Sequence, residues 1–266
     1  MNVVFWNVNK RRPHDQLCRI VKASKADLLV LAECTVDAAL TGKLLTDAGA
    51  DFRLINTNAA RVKVLCRTPG VNLALEKEAS NWSILHVEPG ANQSFSPFLV
   101  AVVHFPSRLH WSVEDLNGHC KWLGDDIRAA EHKRNHQRTL VVGDFNMNPF
   151  EQGMVDAHAL HAVMSRDVAE RESRTILRRS FTYFYNPMWR LMGDPLNGPG
   201  TYFYRKATPV QYFWHTFDQV LLRPALLSIF DDSSLRIVRH DGTGDIIIQG
   251  KAKASDHYPI QFSLNL

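Results

Sequence analysis

Apolar and polar positions follow two rhythms along this chain, and the places where a rhythm stops carry most of its chemistry. The run Leu140-Val141-Val142-Gly143-Asp144-Phe145-Asn146-Met147-Asn148-Pro149 is apolar until a carboxylate and an amide appear two residues apart, and Asn148-Pro149 then breaks it. Alternate side chains of a strand share a face, so Asp144 and Asn146 point the same way, while Gly143 admits a close neighbour, backbone or ligand. Alone, the stretch reads equally as a strand entering an Asx-type turn.

From the start, Asn2 to Val8 predicts a buried strand running into Asn7, Val8 and Asn9. Pro13 suits a first helical turn, and Leu17, Ile20 and Val21 continue at helical spacing through Ser24. Asp27 to Glu33 is a near-continuous apolar run closed by a carboxylate, and a strand, helix, strand unit of this kind sets the second strand beside the first. A second helix is predicted over Val36 to Ala48. The pattern then changes to short β runs, 52–55, 62–66, 71–75 and 82–87, that read as a meander. Pro97 to Val103 is a buried strand that delivers His104-Phe105-Pro106-Ser107-Arg108, and a helix is predicted from Val113 to His136.

Beyond Pro149 the pattern is helical in character to about Leu177. Residues 181–217 differ: twelve of these 37 positions are Phe, Tyr or Trp, interrupted by prolines and by Gly198-Pro199-Gly200, which predicts half loop and half short strands. Phe217 to Leu222 is again a strand with a carboxylate at its start. After Ile229 to Arg239, Asp245 to Gln249 forms a strand, and Ser255-Asp256-His257 precedes the closing strand from Pro259 to Leu264.

Composition narrows the picture. With 266 residues, 45% of them hydrophobic, and no repeat or long linker, one α/β domain spanning 1–266 is expected. The net charge of +4 is compatible with a polyanionic partner but is not gathered into a basic block. Cys18, Cys34, Cys66 and Cys120 show no CxxC spacing, so neither a zinc site nor a disulfide framework is indicated. Met1 leads directly into strand-like sequence, with no signal-peptide pattern and no apolar run long enough to span a bilayer. A cytoplasmic protein is expected.

One design recurs: an apolar β run that begins or ends in Asn7, Glu33, His104, Asp144 with Asn146, Asp218, or Asp256 with His257. If these ends converge on one rim, they make a site of carboxylates, amides and imidazoles. Oxygen donors of that kind suit a hard cation such as Mg²⁺ or Mn²⁺. Singly, each residue has a bland reading as a solvated strand end or a structural pair; jointly they do not.

The ordered motifs Trp6-Asn7-Val8-Asn9, Leu31-Ala32-Glu33, His104-Phe105-Pro106-Ser107, Gly143-Asp144-Phe145-Asn146, Phe217-Asp218-Gln219-Val220 and Ser255-Asp256-His257 resemble the endonuclease/exonuclease/phosphatase superfamily, which includes DNase I and the AP endonucleases. The resemblance runs from Asn2 to Ile260. It implies a four-layer α/β sandwich of two packed mixed β-sheets flanked by helices, with the site at one rim. It implies that Glu33, Asp256 and Asn7 hold the metal, and that His257 contacts the scissile phosphate and activates the attacking water, oriented by Asp218. Asp144 and Asn146 resemble the pair that positions the nucleophile and phosphate oxygens, and His104 a general acid for the leaving oxygen. Asn9 stands where AP endonucleases carry an acidic residue, and His104 where they have a tyrosine, which moves the resemblance toward the DNase I-like and phosphatase-like branches. Arg108, Arg205 and Lys206 are candidates for gripping phosphate.

The aromatic segment has three readings. Phe181-Thr182-Tyr183-Phe184-Tyr185 and Tyr202-Phe203-Tyr204-Arg205 present rings to unstacked bases, or place one aromatic face in the core, or form a lipid-facing loop around Pro187-Met188-Trp189. The expected function is a divalent-metal-dependent phosphodiesterase, with a nuclease acting on DNA or RNA as the first choice. The alternative is a phosphatase or phospholipase-type diesterase acting on inositol phosphates, lipids or other small phosphate esters. A catalytically silent binding module has no need of the whole set of site residues.

Overall fold

β-branched and leucine-rich blocks bury best when both faces of a strand are covered, and the computed structural model shows how the chain achieves it. It describes residues 1–35, 42, 45–46, 49, 52–57, 62–67, 70–91, 93–194, 198–206, 209–248, 251–252 and 254–266. The first sheet has six strands, ordered β12-β13-β1-β2-β4-β3, with β1 Asn2–Asn7, β2 Leu28–Ala32, β3 Phe52–Ile55, β4 Val62–Arg67, β12 Phe230–Ile237 and β13 Ile260–Leu264. The second has seven, ordered β5-β6-β7-β8-β11-β10-β9, with β5 Val71–Glu78, β6 Trp82–Pro89, β7 Phe98–His104, β8 Thr139–Asp144, β9 Ala162–Val163, β10 Phe184–Tyr185 and β11 Asp218–Leu222. Both are mixed: β1 runs parallel to β2 and β7 to β8, while the β8–β11 and β1–β13 pairs are antiparallel.

Alternation assigns the layers. Val100, Val102, Leu140, Val142, Val220 and Leu222 face the first sheet and share a core with Phe5, Val30 and Val64. Their neighbours Leu99, Ala101, Val103, Val141 and Leu221 face the other way, onto Leu116, Cys120, Leu123 and Ile127 of helix α2, Val113–Arg134. Helix α1, His14–Ser24, packs Leu17, Ile20 and Val21 into the core of the first sheet. The result is the expected four-layer sandwich, helix, sheet, sheet, helix.

Local signals start and stop these helices as capping physics requires. Ser112 accepts from the Asp115 N–H while Asp115 reaches back to the Ser112 N–H, a capping box that opens α2, and Asn135 closes it in the left-handed conformation. Most of the helix expected over 36–48 lies outside the described residues. The helical stretch expected beyond Pro149 is corrected. Only Gln152–Val155 and Arg166–Ala169 are helical there, because His161, Glu172, Leu177 and Arg178 have positive φ and Ala162–Val163 is recruited as an edge strand. Of the strand expected over Asp245 to Gln249, Ile247–Ile248 forms a strand and Asp245 an isolated bridge with His240, while Gln249 is outside the described residues.

Two sequence features have direct structural causes. A Cβ on Gly143 would lie 2.1 Å from the Val103 carbonyl oxygen, so the close neighbour is the backbone of β7. All four cysteines are free thiols, and among the described residues no helix is long and apolar enough to cross a membrane.

Candidate active site

The register of the seven-stranded sheet brings three chemical groups together before any loop is considered. Asp144 ends β8 directly opposite Asp218, which opens β11, and directly opposite His104, which ends β7. From the other sheet, β1 ends at Asn7, whose Nδ2 donates to Asp144 Oδ2 at 2.9 Å. Asn7 Oδ1 accepts from the Asn9 N–H at 2.9 Å, and a carboxylate on one side with an N–H on the other fixes the orientation of the carboxamide. Asp144 Oδ1 accepts from the Asn146 N–H at 2.8 Å, and Asn146 Nδ2 donates to the Phe105 carbonyl at 2.9 Å. The strand therefore ends at Asp144, and Asn146 sits in a left-handed Asx turn rather than one alternation further along. The local turn and the shared site are both present.

His257 enters from the turn before β13. Its Nδ1 lies 2.8 Å from Asp218 Oδ2, and its Nε2 lies 4.0 Å from Asp144 Oδ2. All three side chains are buried, and their ligating atoms lie within 4.8 Å of one another. Burial works against charge on His257, but Asp218, Asp144 and Asp256 outweigh it and raise its pKa to about 10. Burial pushes the Asp144 carboxyl above its ordinary range, with His257 opposing and Asp218 adding to the shift. An imidazole that keeps its proton on both nitrogens at neutral pH is a donor to phosphate.

Glu33 follows β2 in the left-handed conformation. His104 Nε2 lies 3.2 Å from Glu33 Oε1 and 3.9 Å from Asp144 Oδ2, with Lys10 Nζ 4.0 Å from Glu33 Oε2. The hydrogen bond from His104 leads in holding the Glu33 carboxyl at about 2, against its partial burial. His104 is only 2% exposed, with Nε2 turned to Glu33. Asp256, half-buried between Ser255 and His257, completes the acidic rim.

Four carboxylates and a carboxamide form a hard-oxygen set, Glu33 stays ionised across the ordinary pH range, and buried Asp218 Oδ1 has no hydrogen-bond partner. These residues fit a divalent cation such as Mg²⁺ or Mn²⁺.

Beside Asn146 opens a cleft of about 330 Å³ lined by Ser107, Arg108, Leu109, Tyr202, Tyr204, Val210, Gln211, Tyr212, His215 and Phe217. Its rings form a staircase: Tyr202 stacks on Tyr204 at 6.1 Å and on Phe217 at 5.3 Å, and lies 4.6 Å from the His257 ring. Arg108 lines this cleft but pairs with Glu151, whereas Arg205 is exposed and lies outside the cleft lining. Of the other expected rings, Tyr183, Phe184 and Tyr185 belong to the core. Tyr183 is 7% exposed and packs 4.4 Å from His161; Pro187 and Met188 are buried, which removes the lipid-facing reading.

Several supporting residues carry no sequence signal of their own. Thr201 Oγ1 accepts from both Phe217 N and Asp218 N, and Ser255 Oγ donates to the Asn7 carbonyl at 2.6 Å while accepting from His257 N. Asn148, legible only as a strand breaker, donates to His215 Nδ1 at 3.1 Å, which leaves Nε2 as the N–H of a ring that lines the cleft.

The model of the endonuclease/exonuclease/phosphatase family matches residues 4–257. No curated protein matches the sequence. Among solved structures, the human Nocturnin catalytic domain with bound sulfate is 14% identical at a TM-score of 0.60, covering 98% of this chain and 92% of that one. D. rerio TDP2 complexed with single-strand DNA product is 14% identical at a TM-score of 0.60, covering 100% and 99%. The 3′ phosphatase NExo from Neisseria bound to product DNA hairpin is 16% identical at a TM-score of 0.54, with both chains covered in full at 100%. At these identities the likeness is one of fold.

Proposed function

The chain belongs to the endonuclease/exonuclease/phosphatase family, whose members hydrolyse phosphate esters, and from that premise we propose that it is a divalent-metal-dependent phosphodiesterase acting on nucleic acid. One observation carries the substrate class: a cleft walled by stacked rings opens beside Asn146, next to the Asp144, Asp218 and His257 cluster. Every base has a π-face, so a ring wall of this kind accepts DNA or RNA with little sequence preference.

Glu33 and Asp256, with Asn7 held against Asp144 beside Glu33, would hold Mg²⁺ or Mn²⁺, which would supply positive charge against the phosphate oxygens when bound. His257 keeps its proton and donates from Nε2 to a non-bridging oxygen, while Asp218 fixes its ring through Nδ1. Its charge at neutral pH speaks against the water-activating role that the resemblance implies. Asp144, made more basic by burial, takes the proton of the attacking water. Asn146 spends one amide N–H on Phe105 and keeps the other for phosphate. His104 positions Glu33.

A small phosphate ester is the second reading, favoured by the cleft volume of about 330 Å³, which sits at the lower end of small-molecule sites, about 300–1,000 Å³. The test is hydrolysis of single-stranded and duplex DNA and RNA, inositol phosphates and phospholipids, each with Mg²⁺ and Mn²⁺. Turnover of nucleic acid supports the first reading. Turnover confined to a small ester promotes the second, and turnover of nothing leaves a silent module.

A further inference from the structure

Between β9 and β10 the chain makes an antiparallel ribbon, Ser173–Ile176 against Arg179–Thr182. Its place follows from register. Asp144 faces Asp218 at one end of the β8–β11 pair, Leu140 faces Leu222 at the other, and Tyr185 of β10 pairs with Leu222. Arg223, the residue after β11, donates to the carbonyl of Thr182 at the root of the ribbon. The root is thus separated from Asp144 by the length of β8, about 17 Å at roughly 3.3 Å per residue.

Arg171, Arg174, Arg178 and Arg179 are all exposed and, among the described residues, none has a carboxylate partner. Other arginines, by contrast, pair with carboxylates: Arg19 with Asp241, Arg108 with Glu151, Arg134 with Glu76 and Arg166 with Asp232. The one acid among residues 171–182 is Glu172. Cross-strand pairs Ser173 with Thr182 and Thr175 with Ser180 gather four hydroxyls on one face. The opposite face carries Arg174, Ile176, Arg179 and Phe181, and Phe181 rests on His158 at 4.9 Å and anchors the ribbon to the body. At the tip Leu177 and Arg178 both have positive φ, 47° and 64°, the requirement of a type I′ turn, and Leu177 is 92% exposed. Asn-Gly builds that turn without strain; this chain holds two large side chains there instead.

Exposed guanidinium groups without carboxylate partners, gathered on and beside one ribbon, match the oxygens of a phosphodiester backbone. We propose that the ribbon is a second nucleic-acid contact, remote from the catalytic rim, that grips the phosphate backbone of a long substrate. The inference rests on the nucleic-acid reading above. A dinucleotide, with a single step of roughly 3.4 Å when stacked, cannot reach both places.

The test measures binding of a labelled oligonucleotide of about 30 nucleotides to the Glu33→Gln protein across a salt series. The triple variant Arg174→Ser/Arg178→Ser/Arg179→Ser should reduce the slope of log K against log salt by about 2, at roughly 0.7 per phosphate contact on a single strand. A second variant, Leu177→Asn/Arg178→Gly, relieves the turn and should raise Tm while still weakening binding, which excludes unfolding as the cause. In the otherwise wild-type enzyme, the triple variant should raise KM for the long substrate and leave turnover of a dinucleotide unchanged. Slopes equal to those of the unaltered ribbon in both variants overturn the proposal, even if nucleic acid is cleaved. Absence of any oligonucleotide binding or cleavage overturns the function on which it rests. Loss of binding to phosphatidylserine vesicles, with oligonucleotide binding intact, reassigns the ribbon to membranes.

Discussion

Asp218 holds His257 through a 2.8 Å contact to Nδ1 in a buried site where the imidazole has a second carboxylate, Asp144, 4.0 Å from Nε2. The pair is a unit: one residue fixes the charge and the aim of the other. His257→Ala should lower kcat by about 10²–10⁴-fold, Asp218→Asn by somewhat less, and the double variant should be little worse than His257→Ala. Losses that multiply in the double variant would mean that the two act separately.

The same pair sets a pH dependence. The His257 pKa is raised from 6.5 to about 10 in the folded protein, so its contribution to stability is full below about 6.5 and is lost as pH rises through about 10. Urea midpoints should therefore fall on the alkaline side, and Asp218→Asn should weaken that fall. ¹⁵N NMR of the imidazole should show both ring nitrogens protonated at pH 7; a neutral ring there contradicts the assignment.

Glu33 should dominate metal binding. With its carboxyl held at about 2, it remains ionised at pH 4, and stability linked to it is present above about 4.5 and lost as pH falls through about 2. Calorimetric titration with Mn²⁺ should show binding abolished in Glu33→Gln. In His104→Leu it should be retained at pH 7 but weakened at pH 5, where the carboxyl lacks its donor. Full metal response in Glu33→Gln would remove it from the site.

Tyr204 and Tyr183 separate stacking from packing. Tyr204→Ala should raise KM for single strands, on the scale of about 1–3 kcal/mol per stacked base, and leave a minimal phosphodiester unaffected. Tyr183→Ala should instead lower stability, as loss of a buried aromatic does, by about 3–5 kcal/mol, with no substrate-specific change in KM. Equal behaviour of the two would place Tyr204 in the core as well.

Most of the rim was legible because strand ends are written in consecutive residues. Asn7, Glu33, His104, Asp144, Asp218 and His257 each follow or precede an apolar run, and parallel and antiparallel pairing brings those ends together. The family resemblance supplied the layering, which periodicity alone leaves open. What sequence could not show depends on tertiary choice. Thr201 and Ser255 are ordinary residues until Asp218 and Asn7 arrive beside them. The residues after Pro149 read as helical because mixed charges and spaced apolar positions suit a solvated helix, yet left-handed residues at His161 and Glu172 divide them. Tyr183 and Tyr202 look alike in sequence, and only the packing of His161 against one and His257 against the other tells core from cleft.

The bond from Asn7 to Asp144 crosses from one sheet to the other, and Glu33 and His104, or His257 and Asp218, meet across the same seam. Neither sheet owns an active site. Catalytic competence is therefore a reporter of how well two halves of the sandwich are docked, and it should disappear before the strands themselves do. Under gentle denaturation, activity and Mn²⁺ affinity should fall at lower urea than far-ultraviolet circular dichroism, so that a loosened molecule loses its chemistry before it loses its secondary structure.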